Sequence, residues 1–325
     1  MRAIIARQQG QPASLEEVDE STLLTGDVGI DVDYSSLNYK DGTALSGTGI
    51  VQAWPLVLGI DVVGTVTDSA SPRFAPGDRV VLNGARIGES LHGGFAEKAR
   101  VAADSLIRIP EPISPLRAAA IGTAGFTAAL AVLALEDAGV QPGDGEVLVT
   151  GAAGGTGSVT IRLLAARGYT VVASTGRAEE QGDYLRTLGA ARLIDRNQVS
   201  TELGKPLQSQ LWAAAVDAVG STTLANILAQ TNYGGTVVSY GLVQGLDLPT
   251  TVLHFILRAV TLTGANSVDA PLALRERAWA LLAETLDLPA LDGLTETIGL
   301  GDVLAAGEQI QQGEIRGRVV IDVNR

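Results

Sequence analysis

The chain has 325 residues, a formal net charge of −13, 46% hydrophobic residues and 4% aromatic residues. This length favours two domains over one compact core, and the composition is typical of an α/β protein. The acidic balance argues against nucleic acid or an anionic membrane as the main partner, because both need a dense cationic face. Since the sequence contains no Cys, disulfides and thiolate metal sites are excluded.

The amino-terminal segment 1–6 is strand-like and lacks the apolar core and the cleavage site of a signal peptide. The sequence also shows no long uninterrupted apolar span. We therefore expect a cytoplasmic protein without a membrane partner.

The first third of the chain carries a strand pattern. Val28, Ile30, Val32 and Tyr34 alternate on one face, and segments 62–66 and 79–82 are two further strands. The pattern changes at Ser114 and Pro115, where a capping residue and an N1 proline predict a long helix that ends near Gly139.

Beyond that helix, strands and helices alternate. The pattern predicts βαβ units around a parallel sheet, with a return strand that could rejoin the first domain. The predicted strands are 146–150, 170–173, 192–194, 214–217, 236–240, 260–263 and 318–321, with a late helix at 272–286.

A glycine-rich turn lies between the strand at 146–150 and a helical segment at 158–166. Strand, turn and helix occur in the order that lets main-chain amides and a helix N-terminus bind a pyrophosphate. The residues assigned to this nucleotide site are Gly151, Gly154, Gly155, Thr156 and Gly157.

The residues after the next strand indicate which cofactor is bound. A site for NAD usually places Asp or Glu there to hold the ribose hydroxyls. Here Thr175, Gly176 and Arg177 follow, and an Arg offers charge-assisted donors to a 2′-phosphate. NADPH is the predicted cofactor, although Glu179 and Glu180 could bind the ribose instead.

The glycine pattern also fits the short-chain dehydrogenases, so a second test is needed. That family requires a Tyr followed four residues later by a Lys that lowers the pKa of the Tyr. None of the six Tyr residues has a Lys at that offset. The glycine turn also follows a whole β-rich domain instead of opening the chain.

The full chain resembles the medium-chain dehydrogenase/reductase superfamily, and within it the acrylyl-CoA reductase branch near the quinone-oxidoreductase-like enzymes. The resemblance implies an α/β fold with a GroES-like β-rich domain at 1–117 and 271–325, and a doubly wound Rossmann domain with a parallel sheet at 118–270. The segments that carry the likeness are 35–41, 76–78, 122–128, 150–157, 175–177 and 232–235.

The resemblance also implies functional residues. Tyr39 is expected at the nicotinamide and as a positioning donor or proton source, with Asn38 and Asp41 organising the pocket; an equal alternative is that Tyr39 only packs against the nicotinamide. The zinc alcohol dehydrogenases share the architecture, but without Cys, and with His92 and His254 far apart, their zinc sites cannot be assembled. Further implied cofactor contacts are Arg196, Leu242, Ile256 and Ser267.

The expected chemistry is metal-free hydride transfer to an electron-poor acceptor. The candidates are an enoyl-CoA such as acrylyl-CoA, which would become propanoyl-CoA, or a quinone; a third possibility is a nucleotide-binding protein without turnover. Cationic residues suited to the CoA phosphates are Arg86, Arg258, Arg275 and Arg277. The strand at 260–263 would lie near the end of the Rossmann sheet, and its exposed edge predicts a homodimer.

Overall fold

The structure is a computed structural model that describes residues 1–23 and 25–325. The chain forms two compact units, one of residues 1–126 with 267–325 and the other of residues 127–266. The domain limits inferred above, at 117/118 and 270/271, stay a prediction.

The secondary structure follows the predicted order of elements. The strands are β1 Arg2–Ala6, β2 Ser14–Glu17, β3 Val28–Leu37, β4 Leu56–Val57, β5 Asp61–Ser69, β6 Arg79–Asn83, β7 Lys98–Val101, β8 Ile107–Arg108, β9 Glu146–Val149, β10 Thr170–Thr175, β11 Ala190–Asp195, β12 Trp212–Asp217, β13 Thr231–Ser239, β14 Thr261–Gly264, β15 Thr295–Gly299 and β16 Arg318–Asp322. The helices are α1 Glu20–Leu23, α2 Tyr39–Leu45, α3 Pro115–Asp137, α4 Gly155–Ala166, α5 Ala178–Thr187, α6 Asn197–Ser200, α7 Ser221–Gln230, α8 Leu253–Arg258, α9 Leu272–Thr285, α10 Leu288–Asp292 and α11 Val303–Gln312, with 3₁₀ turns at Ala103–Ser105 and Leu300–Asp302.

The first unit is built on two sheets. One has the order β2-β1-β4, and the other has the order β15-β16-β3-β5-β6-β8, with β7 also paired to β3. The predicted alternation in β3 is confirmed for Val28, Ile30 and Val32, which are each at most 1% exposed, whereas Tyr34 follows a shift in strand register and is half-buried. The predicted return strand β16 pairs antiparallel with β3, Val320 opposite Ser36.

Helix α3 begins where the sequence predicts. The Ser114 hydroxyl accepts a hydrogen bond from the Arg117 amide at 3.3 Å, so Ser114 caps the first turn. The helix is interrupted at Gly122, whose φ of 50° and ψ of −162° are non-helical. The prediction that the chain has no long apolar span was wrong, since α3 is long and apolar enough to cross a membrane. Its most apolar window is nevertheless 89% buried, as in the core helix of a globular fold.

The second unit is a doubly wound parallel sheet, as predicted. Its strand order is β11-β10-β9-β12-β13-β14, which is the Rossmann order with the topological switch point between β9 and β12. Central-strand residues such as Leu148, Val172 and Ala215 are 0% exposed and form one core with helix α7. Ligands of such sheets bind at the carboxyl ends of the strands beside the switch point.

Candidate active site

The glycine turn of the second unit lies at the carboxyl end of β9, directly at the switch point. Gly151 has a φ of +57°, which glycine adopts without strain. The Gly154 amide donates to the Gly151 carbonyl at 2.9 Å and closes the turn. Helix α4 begins at Gly155 and not at Ser158, so its first amides, which have no intrahelical acceptor, lie within the predicted motif.

Gly157 allows helix α4 to approach the turn closely. A Cβ at this position would lie 2.3 Å from the Gly151 carbonyl oxygen and 2.9 Å from the Ala152 Cα. Only glycine therefore permits this packing, which directs the helix N-terminus at the space above the turn. The arrangement fits a pyrophosphate, because unpaired amides and the helix dipole both favour an anion there.

Two arginines flank the end of the neighbouring strand β10. The Arg177 amide donates to the Thr175 hydroxyl at 3.1 Å, and the Arg196 amide donates to the Thr175 carbonyl at 3.1 Å. Gly176 makes room for the second arginine, since a Cβ on it would lie 2.6 Å from Arg196 Nε. The structure thus brings two exposed guanidinium groups to one strand end, which suits a phosphate monoester. Glu179 and Glu180 occupy the first turn of α5 and are exposed.

A buried carboxylate supports the glycine turn from the adjacent strand β12. Asp217 is 0% exposed and accepts from the Thr150 hydroxyl at 2.6 Å and from the Gly220 amide at 2.8 Å. The Thr150 oxygen in turn accepts from the Ala218 amide at 2.9 Å. Burial raises the pKa of Asp217, and these hydrogen bonds lower it. The group joins the ends of β9 and β12, the two strands that border the switch point.

The remaining implied cofactor contacts fall in three places. Leu242 follows β13 and is 60% exposed, and Ile256 lies on α8 and is 68% exposed, so both present apolar surface on the second unit. Ser267 belongs to the first unit, where its carbonyl accepts from the Arg275 guanidinium at 3.1 Å. Their roles as cofactor contacts stay a prediction.

The arginines considered for CoA phosphates differ in availability. Arg275 is 1% exposed, and its guanidinium donates to four backbone carbonyls, so it is not available to an anion. Arg258 donates to carbonyls of residues 208, 229 and 231, and Arg86 pairs with Asp269 at 2.9 Å. Arg277 is exposed on α9.

Asn38, Tyr39 and Asp41 form one capped helix start in the first unit. Asn38 caps α2, Tyr39 is its first residue, and Asp41 completes a capping box by accepting from the Asn38 amide at 2.8 Å. Asn38 and Asp41 are 8% and 1% exposed, whereas Tyr39 is 57% exposed. Of the three, Tyr39 is therefore the side chain exposed to solvent, and the other two form the buried cap of the turn; the role of Tyr39 toward a ligand stays a prediction.

The environment of Asp41 strongly shifts the pKa of its carboxyl group. Burial and the neighbouring Asp61 raise its pKa to about 7, although the amides of Asn38 and Ile60 donate to its carboxylate and oppose the shift. A pKa of about 7 places the change in protonation of the Asp41 carboxyl group, which accepts from the Asn38 amide, near neutral pH.

Beneath this turn lies a buried polar network that the sequence motif did not reveal. Asp61 is 0% exposed, and its carboxylate accepts from Ser36, Asn38, Asn83 and Thr123. The Arg318 guanidinium donates to the Ser36 hydroxyl at 3.1 Å and to the Asn38 side-chain oxygen at 3.3 Å. Burial lowers the pKa of Arg318, and the carboxylates of Asp61 and Asp41 raise it. The sequence feature that could have indicated this network is the acid Asp61 inside the apolar segment 57–66, because a buried acid needs hydrogen-bond partners.

Within residues 1–23 and 25–325, His, Asp and Glu side chains form no group of three or more that could hold a metal ion.

Comparison with known proteins gives two family matches. A model described as alcohol dehydrogenase GroES-like domain matches residues 25–111, and one described as zinc-binding dehydrogenase matches residues 155–284. The second match covers the glycine helix and most of the parallel sheet. Despite its description, this chain has no Cys to offer zinc.

Relatives that match over the full length show to which branch of the family this chain belongs. Acrylyl-CoA reductase AcuI of Ruegeria pomeroyi is 47% identical, with 96% of this chain and 94% of the relative covered. The crystal structure of Escherichia coli K-12 YhdH with bound NADPH has a TM-score of 0.95 at 46% identity and covers 100% of both chains. The structure of Bacillus subtilis YhfP with NAD bound has a TM-score of 0.94 at 41% identity and covers 99% of each chain. This chain therefore belongs to the medium-chain dehydrogenase/reductase superfamily, in the branch that contains the acrylyl-CoA reductases.

Proposed function

We propose that this chain is an NADPH-dependent reductase of the C=C bond in an α,β-unsaturated thioester, converting acrylyl-CoA to propanoyl-CoA. The observation that carries the cofactor assignment is the pair Arg177 and Arg196 at the end of β10, beside the glycine turn. The acceptor is inferred from the full-length similarity to the Ruegeria pomeroyi acrylyl-CoA reductase.

The second unit would hold NADPH through residues already in place. Amides of the turn from Gly151 to Gly157 would receive the pyrophosphate, and Arg177 and Arg196 would bind the 2′-phosphate. When bound, NADPH supplies a hydride, so that the protein need only orient and polarise the acceptor.

In the first unit, we assign the polar contact with substrate to Tyr39. Reduction at the β-carbon of an enoyl thioester places negative charge on the thioester oxygen, and a proton must then reach the α-carbon. The Tyr39 hydroxyl is suited to donate to that oxygen or to supply the proton, because the ring is exposed while its neighbours Asn38 and Asp41 are fully engaged. Tyr39→Phe keeps the ring and removes the hydroxyl, so it separates a chemical role from simple packing.

One assay distinguishes the acceptors. Oxidation of NADPH is followed at equal enzyme concentration with acrylyl-CoA, with a simple quinone and with neither. We expect rapid oxidation with acrylyl-CoA and a slow background without acceptor. Turnover with the quinone alone would replace the proposed substrate, and tight NADPH binding without any turnover would indicate a non-catalytic protein.

We also propose that the chain acts as a homodimer in the cytoplasm. Strand β14 is an edge strand of the six-stranded sheet, and Thr261 and Gly264 at its two ends are exposed. An exposed edge offers unpaired backbone groups to the same strand of a second copy. Light scattering at working concentration tests this, and a monomer mass would refute it.

A further inference from the structure

Asp61 forms the centre of the buried network beneath the Tyr39 turn. Its Oδ2 atom accepts from Ser36 Oγ at 2.5 Å, from Asn38 Nδ2 at 2.8 Å and from the Thr123 amide at 3.1 Å. Its Oδ1 atom accepts from Asn83 Nδ2 at 2.7 Å and from Thr123 Oγ1 at 2.7 Å. Every one of these contacts is a donor, so the carboxylate is fully engaged and cannot contact a ligand. Its effect on chemistry must therefore pass through its partners.

The shortest of these paths leads to Tyr39. Asn38 directly precedes Tyr39, and its side-chain nitrogen donates both to Asp61 and to Asp41, at 2.8 and 3.1 Å. The Asn38 side-chain oxygen accepts from Arg318 at 3.3 Å, so both ends of the amide are fixed. The start of helix α2 can therefore rotate or shift only if the Asp61 network rearranges.

A second path leads from Asp61 to the segment of Ser267. Asn83 donates to Asp61, while its own carbonyl accepts from Arg275 at 2.6 Å and its side-chain oxygen accepts from Trp279 at 3.2 Å. Arg275 also donates to the Ser267 carbonyl at 3.1 Å. One buried acid thus links the Tyr39 turn with a segment implied in cofactor contact.

The approach of helix α3 shows how tightly this network is packed. A Cβ on Gly122 would lie 2.4 Å from Ser36 Oγ, 2.8 Å from the Arg318 guanidinium and 2.9 Å from Asp61 Oδ2. The break in α3 at Gly122 also turns the Thr123 amide toward Asp61. The network therefore leaves no space for a side chain on the face where α3 approaches it.

We propose that Asp61 is a positioning residue, which holds Tyr39 in its reactive orientation through Asn38. The proposal rests on the proposed function only in that Tyr39 contacts the substrate. Catalysis is sensitive to such positioning, because a displacement of about 1 Å at a reacting group can lower the rate on the order of a hundredfold.

A double-mutant cycle tests the proposal. Tyr39→Phe, Asp61→Asn and the double variant are compared for kcat and KM with acrylyl-CoA and for NADPH affinity by fluorescence titration. We expect Asp61→Asn to lower kcat by about tenfold or more in the parent, with NADPH affinity changed less than about twofold. In the Tyr39→Phe background the same substitution should have little further effect, because residues acting through one group are non-additive.

Two controls keep the test decisive. Asp27→Asn removes a carboxylate that accepts from the Ala103 amide at 2.8 Å just before β3 begins, at the opposite end from Tyr39, and should leave kcat unchanged. If Asp61→Asn does not fold, Ser36→Ala removes one donor to Asp61 with a smaller perturbation and takes its place in the cycle. Equal losses in both backgrounds, or an unchanged kcat in the parent, would overturn the proposal.

Hydrogen exchange separates this proposal from the proposed function. Asp61→Asn should accelerate amide exchange in residues 38–42, and Asp27→Asn should not. This measurement needs no turnover, so it remains valid if acrylyl-CoA is not the substrate. Unchanged exchange at 38–42 would refute the positioning role even in an active enzyme, whereas faster exchange in an inactive protein would refute only the proposed reaction.

Discussion

Replacement of Arg177 by Gln is the most direct test of the cofactor site. Gln keeps much of the side-chain length but removes the charge that we assign to the 2′-phosphate. A hydrogen bond to a charged group contributes about 1.5–3 kcal/mol, and Arg177 is exposed, so solvent screening favours the lower end of this range. The kcat/KM for NADPH should therefore fall on the order of tenfold.

The assay compares NADPH with NADH on the same enzyme preparation. NADH has no 2′-phosphate, so its kcat/KM should change by less than about twofold in Arg177→Gln. Arg196→Gln should likewise lower kcat/KM more for NADPH than for NADH, because Arg196 flanks Thr175 from the neighbouring strand. The loss should also shrink at high salt, since exposed charges are screened.

Arg192→Gln is the matched control. Arg192 lies on β11, the strand that ends just before Arg196. It pairs with Glu146 at 2.6 Å at the start of β9, away from the carboxyl ends of the strands. Arg192→Gln changes the net charge by the same amount as Arg177→Gln, and the loss of an exposed ion pair costs about 1 kcal/mol or less of stability. An equal loss with NADH, or an equal effect of Arg192→Gln, would refute the assignment of the phosphate site.

Three further predictions concern stability. In chemical denaturation, Gly122→Ala should lower the free energy of unfolding by at least about 2 kcal/mol more than Gly139→Ala. Both glycines have a positive φ, but only at Gly122 would other atoms occupy the space of a Cβ. Equal losses of stability would contradict the packing of the Asp61 network. The raised pKa of Asp41, about 7, means that its protonated form stabilises the fold below about pH 4. This stabilisation is lost as pH rises toward 7, so Asp41→Asn should flatten the stability profile in that range, and an unchanged profile would argue against the shift. His254 is 0% exposed, and burial lowers its pKa, so the protein should lose stability as pH falls below about 6.5. In urea titrations, His254→Leu should weaken this loss of stability. An equal loss in the variant would show that other groups cause the pH dependence.

The elements of the fold were predictable because their patterns are local. The alternation in β3, the cap at Ser114 and the glycine turn are each contained within about ten residues, and the structure has all three. The start of α4 was placed three residues late, since the turn glycines suggested a loop whereas the structure makes Gly155 helical. Glycine is a poor helix former, but here the close contact at Gly157 outweighs propensity.

The supporting residues could not be predicted because their contacts are distant in sequence. Asp61 meets Thr123 across 62 residues, and Arg318 meets Ser36 across 282. A single acid in an apolar strand indicates that partners exist, but not which ones. Likewise the exposed Tyr39 and the buried Asn38 are neighbours in the motif, and only the structure separates the presented side chain from the two that hold it.

The two units use the same device to support their candidate surfaces. In the first, the Thr123 hydroxyl donates to buried Asp61 at 2.7 Å, and in the second the Thr150 hydroxyl donates to buried Asp217 at 2.6 Å. Each carboxylate also accepts a backbone amide from an irregular segment, Thr123 after the break in α3 and Gly220 before α7. An irregular segment leaves amides without regular partners, and a buried carboxylate satisfies them strongly because it accepts several hydrogen bonds at once. The two acids therefore lie beneath the surfaces that they support. Motif residues such as Tyr39 and Gly151 indicate from the sequence where chemistry is expected, whereas the residues that fix their geometry can be identified only from the fold.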